Sequence, residues 1–279
     1  MKKISHLIAL TGLVLAASAV PAQANHSWAN WHWARAANPV TLTVLNSTTD
    51  ARTPIGGQNW PAMLSKSAAD WSQSTVLDLA VQPQSVVDLA VREACPFALR
   101  AIRVCNVINP DVTWLGLAVV LPDTASGSGH ILAATAQMND TWFSTPFYNA
   151  TNAQHVMCQE IGHTFGLDHQ SESGDDLNTC MDYADALDNP SPNAHDYQQL
   201  ETIYSHLDGA GSGGGGGGKG KKPPTNSSTS GGNTGGWSPT QLGFPEGYHG
   251  TGKHGRPHSD VFVTEENGQT VIRYVLWAY

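Results

Sequence analysis

Charge is scarce in this chain. Only 13% of its 279 residues are charged, and 14 Lys or Arg face 23 Asp or Glu, for a formal net charge of −9. Binding nucleic acid through its phosphates needs a basic face. The one basic run, Lys219, Lys221 and Lys222, sits in a glycine tract and reads as part of a solubilising linker. Nucleic acid is therefore not expected as a partner. Long apolar runs are equally scarce. Residues 7–20 form the single one, too short to span a bilayer comfortably. Lys2 and Lys3 precede it and Ala22-Gln23-Ala24 follows, so 1–24 reads as a bacterial-type secretory signal peptide cleaved before Asn25. The mature chain is expected to be secreted or periplasmic, without a membrane partner, and monomeric. Cysteine is limited to four residues, which in an exported protein suggests two disulfide bonds. No calcium loop is visible, and no long segment or Cys after Ala24 is placed to mask a site.

Against this background one stretch stands out, Gln159-Glu160-Ile161-Gly162-His163-Thr164-Phe165-Gly166-Leu167-Asp168-His169. Residues four apart on a helix share one face, so Gln159 and His163 point into the same space, with Glu160 one step round. Gly166 lets the helix end in a sharp turn, since glycine tolerates positive φ there. The turn returns His169 as a third ligand. Three protein ligands and one open position describe a catalytic zinc rather than a structural one. Such a metal lowers the pKa of bound water, and a neighbouring Glu takes the proton as water attacks a carbonyl. A bare E-x-x-H is common on amphipathic helices. The added Gly166, His169 and downstream Met181 and Tyr183 make chance a poor account.

The pattern Q-E-x-x-H-x-x-G-x-x-H, followed by Cys180-Met181-Asp182-Tyr183, resembles the metzincin zinc proteases. The resemblance covers residues 28–208, with its sharp motifs in 159–183. It implies that Met181 forms a hydrophobic floor beneath the metal. Tyr183, two residues on, would ligate zinc or stabilise the oxyanion, as in astacin-like and serralysin-like members. The distance from helix to Met-turn matches no single branch closely. The larger departure is Gln159, which stands where the family has His. Amide oxygen is a poor zinc ligand beside imidazole. Three readings stay open: Gln159 is a weak ligand, His163 and His169 hold Zn2+ with water or Tyr183, or the metal site is dead. His155 lies two turns before His163, about 12 Å away, and reads as a partly exposed residue or a support for Gln159.

The favoured disulfide pairing is Cys95–Cys105, stapling a loop or hairpin, and Cys158–Cys180, tying the active-site helix to the Met-turn. Four free thiols, or a Cys158 thiolate in place of the missing His, are the alternatives. The thiolate would face about 100° away from Gln159.

Residues 25–208 are the size of one domain. Strands are predicted at 40–45, 76–81, 101–107, 115–121 and 130–138, and a long helix at 60–74. Thr151 or Asn152 is the expected cap of the active-site helix, and Asn193 or an earlier residue that of a helix ending near Leu207. His195-Asp196 is read as packing or capping. Residues 209–236 are a Gly-rich linker. In 237–279, Asn267-Gly268 between two β-rich runs predicts a hairpin. That segment is either a docking module or folds back on the domain, and His249, His254 and His258 fit no metal pattern.

The expected fold is therefore α+β and metzincin-like, a twisted mixed sheet with long helices and a small C-terminal β segment. The expected activity is a secreted zinc endopeptidase with Glu160 as general base. Its substrate would be a protein or peptide, extended along an antiparallel edge strand near 130–138, a role implied by the resemblance. The alternative is a weak or inactive extracellular binding protein on the same scaffold.

Overall fold

The structure, a computed structural model, describes residues 26–27, 31–49, 59–83, 89–170, 175–182, 187–208, 259–266 and 268–278. The signal segment, the Gly-rich stretch, Tyr183 and the three tail histidines lie outside them.

The fold is α+β around one mixed sheet. Its strands are β1 (His32–Trp33), β2 (Val40–Ser47), β3 (Leu77–Val81), β4 (Ala101–Val107), β5 (Trp114–Pro122), β6 (His130–Asn139), β7 (Ser259–Glu266) and β8 (Gln269–Trp277). Their order is β3-β2-β4-β6-β5-β8-β7, with β1 pairing β6. Strands β3, β2, β4 and β6 run parallel, whereas β5 is antiparallel to β6 and β8. The helices are α1 (Trp60–Trp71), α2 (Leu89–Ala94), α3 (Asp140–Phe143), α4 (Ala150–His163) and α5 (Ala194–Ile203). β4 and β6 read as nearly continuous apolar runs because both of their faces are covered.

α4 is the central helix. Every residue from Ala153 to His163 is buried, so it is an interior helix rather than an amphipathic one. It packs on α1, β5 and β6. Gln154 crosses to α1, donating to Met63 O at 3.2 Å and Ser67 Oγ at 2.7 Å. Its cap is Asn149, not Thr151 or Asn152. The Asn149 side chain accepts from Thr151 and Asn152 N–H, and Asn152 returns a bond to the Asn149 amide as the second half of a capping box. The helix therefore starts two or three residues earlier than expected, and Asn152 serves at its third position. Asn193 caps α5 in the same way.

One further expectation is corrected. Segment 130–138 is a strand but not an edge: β6 has β5 on one side and β4 with β1 on the other. The antiparallel strand is β5, and its outer side is taken by β8. The C-terminal hairpin thus folds back as part of the sheet. Gly268 makes its turn with φ +76°. Cys95 is bonded to Cys105 and Cys158 to Cys180. No helix among the described residues is long and apolar enough to cross a membrane.

Candidate metal centre

The end of α4 is tied down through its carbonyls, which no helical N–H can satisfy. Trp33 Nε1 donates to Thr164 O at 2.8 Å and Tyr204 Oη to Phe165 O at 3.0 Å. Inside the last turns, Trp71 Nε1 donates to Cys158 O at 3.1 Å. Gly166 follows with φ +94°, and a Cβ there would meet the Trp31 backbone, with Trp31 C at 3.0 Å. Only glycine fits both the dihedral and the space. This turn carries His169 back beside His163, ring centroids 4.8 Å apart and perpendicular.

The Met181 segment is anchored from both sides. Met181 N–H donates to Thr179 Oγ1 at 3.0 Å, and Thr179 in turn donates to Asp196 at the start of α5. Gln170 N–H donates to Met181 O at 2.6 Å, and Leu177 N–H to Asp182 Oδ2 at 2.9 Å. The Cys158–Cys180 bond adds a covalent tie. Met181 then lies directly on Gly162: a Cβ at 162 would sit 3.2 Å from Met181 Cε and 2.8 Å from Trp71 Cζ2. Gly162 is the clearance that admits Met181 under the helix.

Gln159, Glu160, His163 and His169 are all buried. Gln159 Nε2 donates to Asp182 O at 3.2 Å, which orients the amide and leaves Gln159 Oε1 without a hydrogen-bond partner. Both Glu160 oxygens are also buried and unpartnered. Burial pushes the Glu160 carboxyl well above the usual carboxylate range, opposed only in part by the Ala118 backbone. Gly116 on β5 makes room for it: a Cβ there would come within 2.7 Å of Glu160 Cγ and 2.6 Å of Val156 Cγ1. His163 Nδ1 lies 3.0 Å from Leu167 O, so Nδ1 carries the proton and Nε2 keeps its lone pair. Burial lowers the pKa of His163 and His169 to about 3 each, so both are neutral and able to coordinate. An unpartnered amide oxygen and an imidazole Nε2 with its lone pair are both donor types that a metal ion accepts. Tyr183 falls outside the described residues.

His155 is fully buried rather than partly exposed, with neither ring nitrogen hydrogen-bonded, and burial lowers its pKa to about 4. It sits on the same wholly interior helix as the motif. Two features have no motif in the sequence. Tyr274 of β8 stacks on His163 with centroids 4.2 Å apart and planes 7° from parallel. His32, His206 and Asp208 form the one group among the described residues in which three His, Cys, Asp or Glu donor atoms lie within 4.8 Å of one another. Its members come from distant segments, so no local spacing announces it. No family model matches the chain, and no curated protein matches it either.

Proposed function

We propose that the chain is an exported zinc-dependent endopeptidase of metzincin type. The observation that carries this is the pair of buried, unpartnered oxygen sets, Gln159 Oε1 and the Glu160 carboxyl, on the same helix as His163, whose Nε2 keeps its lone pair. Supporting it are the antiparallel β5 beside parallel β6, the glycine turn from α4 to His169, and Met181 lodged on Gly162. Gln159, His163 and His169 would hold the ion. Zn2+ there would polarise a scissile carbonyl and bring positive charge beside Glu160, restoring its carboxylate form. Glu160 takes the proton from the attacking water and returns it to the leaving nitrogen. Asp182 O fixes the Gln159 amide, and Leu167 O fixes the His163 tautomer. Tyr183 assists the oxyanion, a role that rests on the resemblance alone. An extended peptide would pair with β5 rather than with 130–138, on the side that β8 now fills. Two disulfides suit an oxidising compartment.

The second reading, a binding protein on a protease scaffold, is favoured by the complete burial of the four side chains and by Gln159 in place of an imidazole. Metal content by elemental mass spectrometry and hydrolysis of labelled casein separate the two. The expected result is one zinc fewer in Gln159→Ala than in the wild type, and a loss of roughly 10²–10⁴-fold in turnover for Glu160→Ala. Turnover that survives Glu160→Ala sinks the proposal. A wild type that takes up no zinc lost by Gln159→Ala, and cuts nothing, is the binding protein.

A further inference from the structure

Away from that centre, four side chains converge where the first strand, the start of β6 and the end of α5 meet. His32 and His130 are register partners across the β1–β6 pairing. Their rings are 5.1 Å apart, and the His32 ring is 4.7 Å from that of His206. His206 Nε2 lies 3.2 Å from His32 Nε2. Asp208 faces all three: its Oδ1 is 3.1 Å from His130 Nε2 and 3.4 Å from His206 Nε2, and its Oδ2 is 3.8 Å from His32 Nε2. Bonds of 2.0–2.1 Å in a tetrahedral zinc site place neighbouring donors about 3.3 Å apart. The observed spacings bracket that value.

The Asp208 carboxylate and the His206 backbone are held by one residue. Arg35 N–H donates to Asp208 Oδ2 at 2.9 Å, and Asp208 N–H returns to Arg35 O at 2.7 Å. The Arg35 guanidinium donates to His206 O at 2.8 Å and also to Tyr204 O and Asn38 Oδ1. Such supporting bonds are what orients ligands before a metal arrives. His32 and Asp208 are shielded while His206 is half-exposed, so the cluster opens to solvent on one side.

We infer that His32, His206 and Asp208 form a second metal site, for a divalent ion that accepts imidazole and carboxylate, such as Zn2+ or Co2+. His130, 3.1 Å from Asp208 Oδ1, orients the carboxylate from the β6 side. The ion ties residue 32 to residues 206–208, and so acts as a structural clip independent of the Gln159 centre. The test is Co2+ and Zn2+ binding to the full mature chain carrying Gln159→Ala, which removes the other centre. One ion per chain is expected, with a tetrahedral cobalt spectrum and a Tm that rises with zinc. His206→Ala, at a half-exposed position outside the core, should weaken binding by about 100-fold or more and abolish both signals. His32→Ala and Asp208→Asn should do the same. Equal binding and an unchanged cobalt spectrum in His206→Ala and Asp208→Asn would overturn the site.

A separate observation concerns access to the first centre. Tyr274 stands opposite Ala118 in the β5–β8 ladder, is itself buried, and covers the His163 ring. Tyr274 is carried by the hairpin β7–β8, which joins the rest of the described sheet through β5 alone. The geometry points to that hairpin as a built-in cover whose release opens the centre. For peptide cleavage this rests on the function proposed above, so two readouts are needed in the full chain. Tyr274→Ser removes the stacked ring. It should speed modification of His163 by diethyl pyrocarbonate by about tenfold, as expected for one lost aromatic pair. Casein turnover should rise with it. Faster modification without turnover in either protein keeps the cover and sinks the peptidase. Unchanged modification, or turnover that falls, overturns the cover.

Discussion

Replacing Gly166 with alanine should cost the protein about 3 kcal/mol. Two terms add. A non-glycine residue at φ +94° is strained by about 1–3 kcal/mol. The new Cβ also strikes the Trp31 backbone, with Trp31 C at 3.0 Å, and backbone has no rotamer with which to yield. Overpacking of this kind costs about 1–3 kcal/mol more. In a domain of this size about 3 kcal/mol lowers Tm by roughly 6–12 °C. Gly127 is the internal control. Its φ is +66° and nothing lies within 4 Å of its would-be Cβ, so alanine there meets the dihedral term alone. Gly127→Ala should lose about 1 kcal/mol. Thermal and urea unfolding of both variants, with disulfides intact, separates the terms. Equal losses in the two would refute the close approach of Trp31 to the turn. Under the proposed function, a loss confined to Gly166→Ala should also lower zinc uptake, because the same turn presents His169.

Three more expectations follow from the described contacts. Gly116→Ala should push Glu160 aside and cut casein turnover by about 100-fold while zinc content holds, a split read by kinetics beside elemental analysis. Mutating Cys158 and Cys180 together to Ser opens a loop of sequence separation 22, with an expected stability loss of about 3 kcal/mol in urea unfolding. His155 has a folded pKa of about 4 against 6.5 in the unfolded chain. The unfolded state therefore binds more protons between those values, so its share of stability is complete above pH 6.5 and is lost as pH falls towards 4. That share is about 3 kcal/mol, and His155→Leu should flatten the drop in Tm between pH 7 and pH 4. An unchanged acid slope in His155→Leu would refute it.

Local signals in the sequence carried much of the fold. The alternation and apolar runs of 40–45, 101–107, 115–121 and 130–138 reappear as β2, β4, β5 and β6, and Asn267-Gly268 separates β7 from β8. Cysteine spacing favoured the two bonds that are present. Strand order is a property of pairing between distant segments. β5 and β6 are both apolar, so nothing local told which one would carry the antiparallel edge. The cap of α4 was misplaced because Asn149, Thr151 and Asn152 all offer side-chain oxygens, and only the reciprocal bonds choose among them. His155 looked ordinary because an interior helix and an exposed one can share the same residue types. The approach of His169 to His163 was legible because Gly166 marks a turn just past the helix end. The His32, His130, His206 and Asp208 cluster was not, because three chain segments must meet before it exists.

By sitting on β5, the hairpin makes β7 the last strand in the order of the described sheet. The margin of a sheet invites pairing with a neighbouring molecule. β7 ends in Glu265 and Glu266, and charged side chains on a marginal strand discourage such pairing. β5 offers no such defence: Leu117 and Val119 along it belong to the apolar clusters that β8 covers. A chain with its hairpin displaced would thus present a bare, greasy strand to its own kind. The uncovered form should be short-lived at high concentration, self-associating unless another strand takes the vacated place.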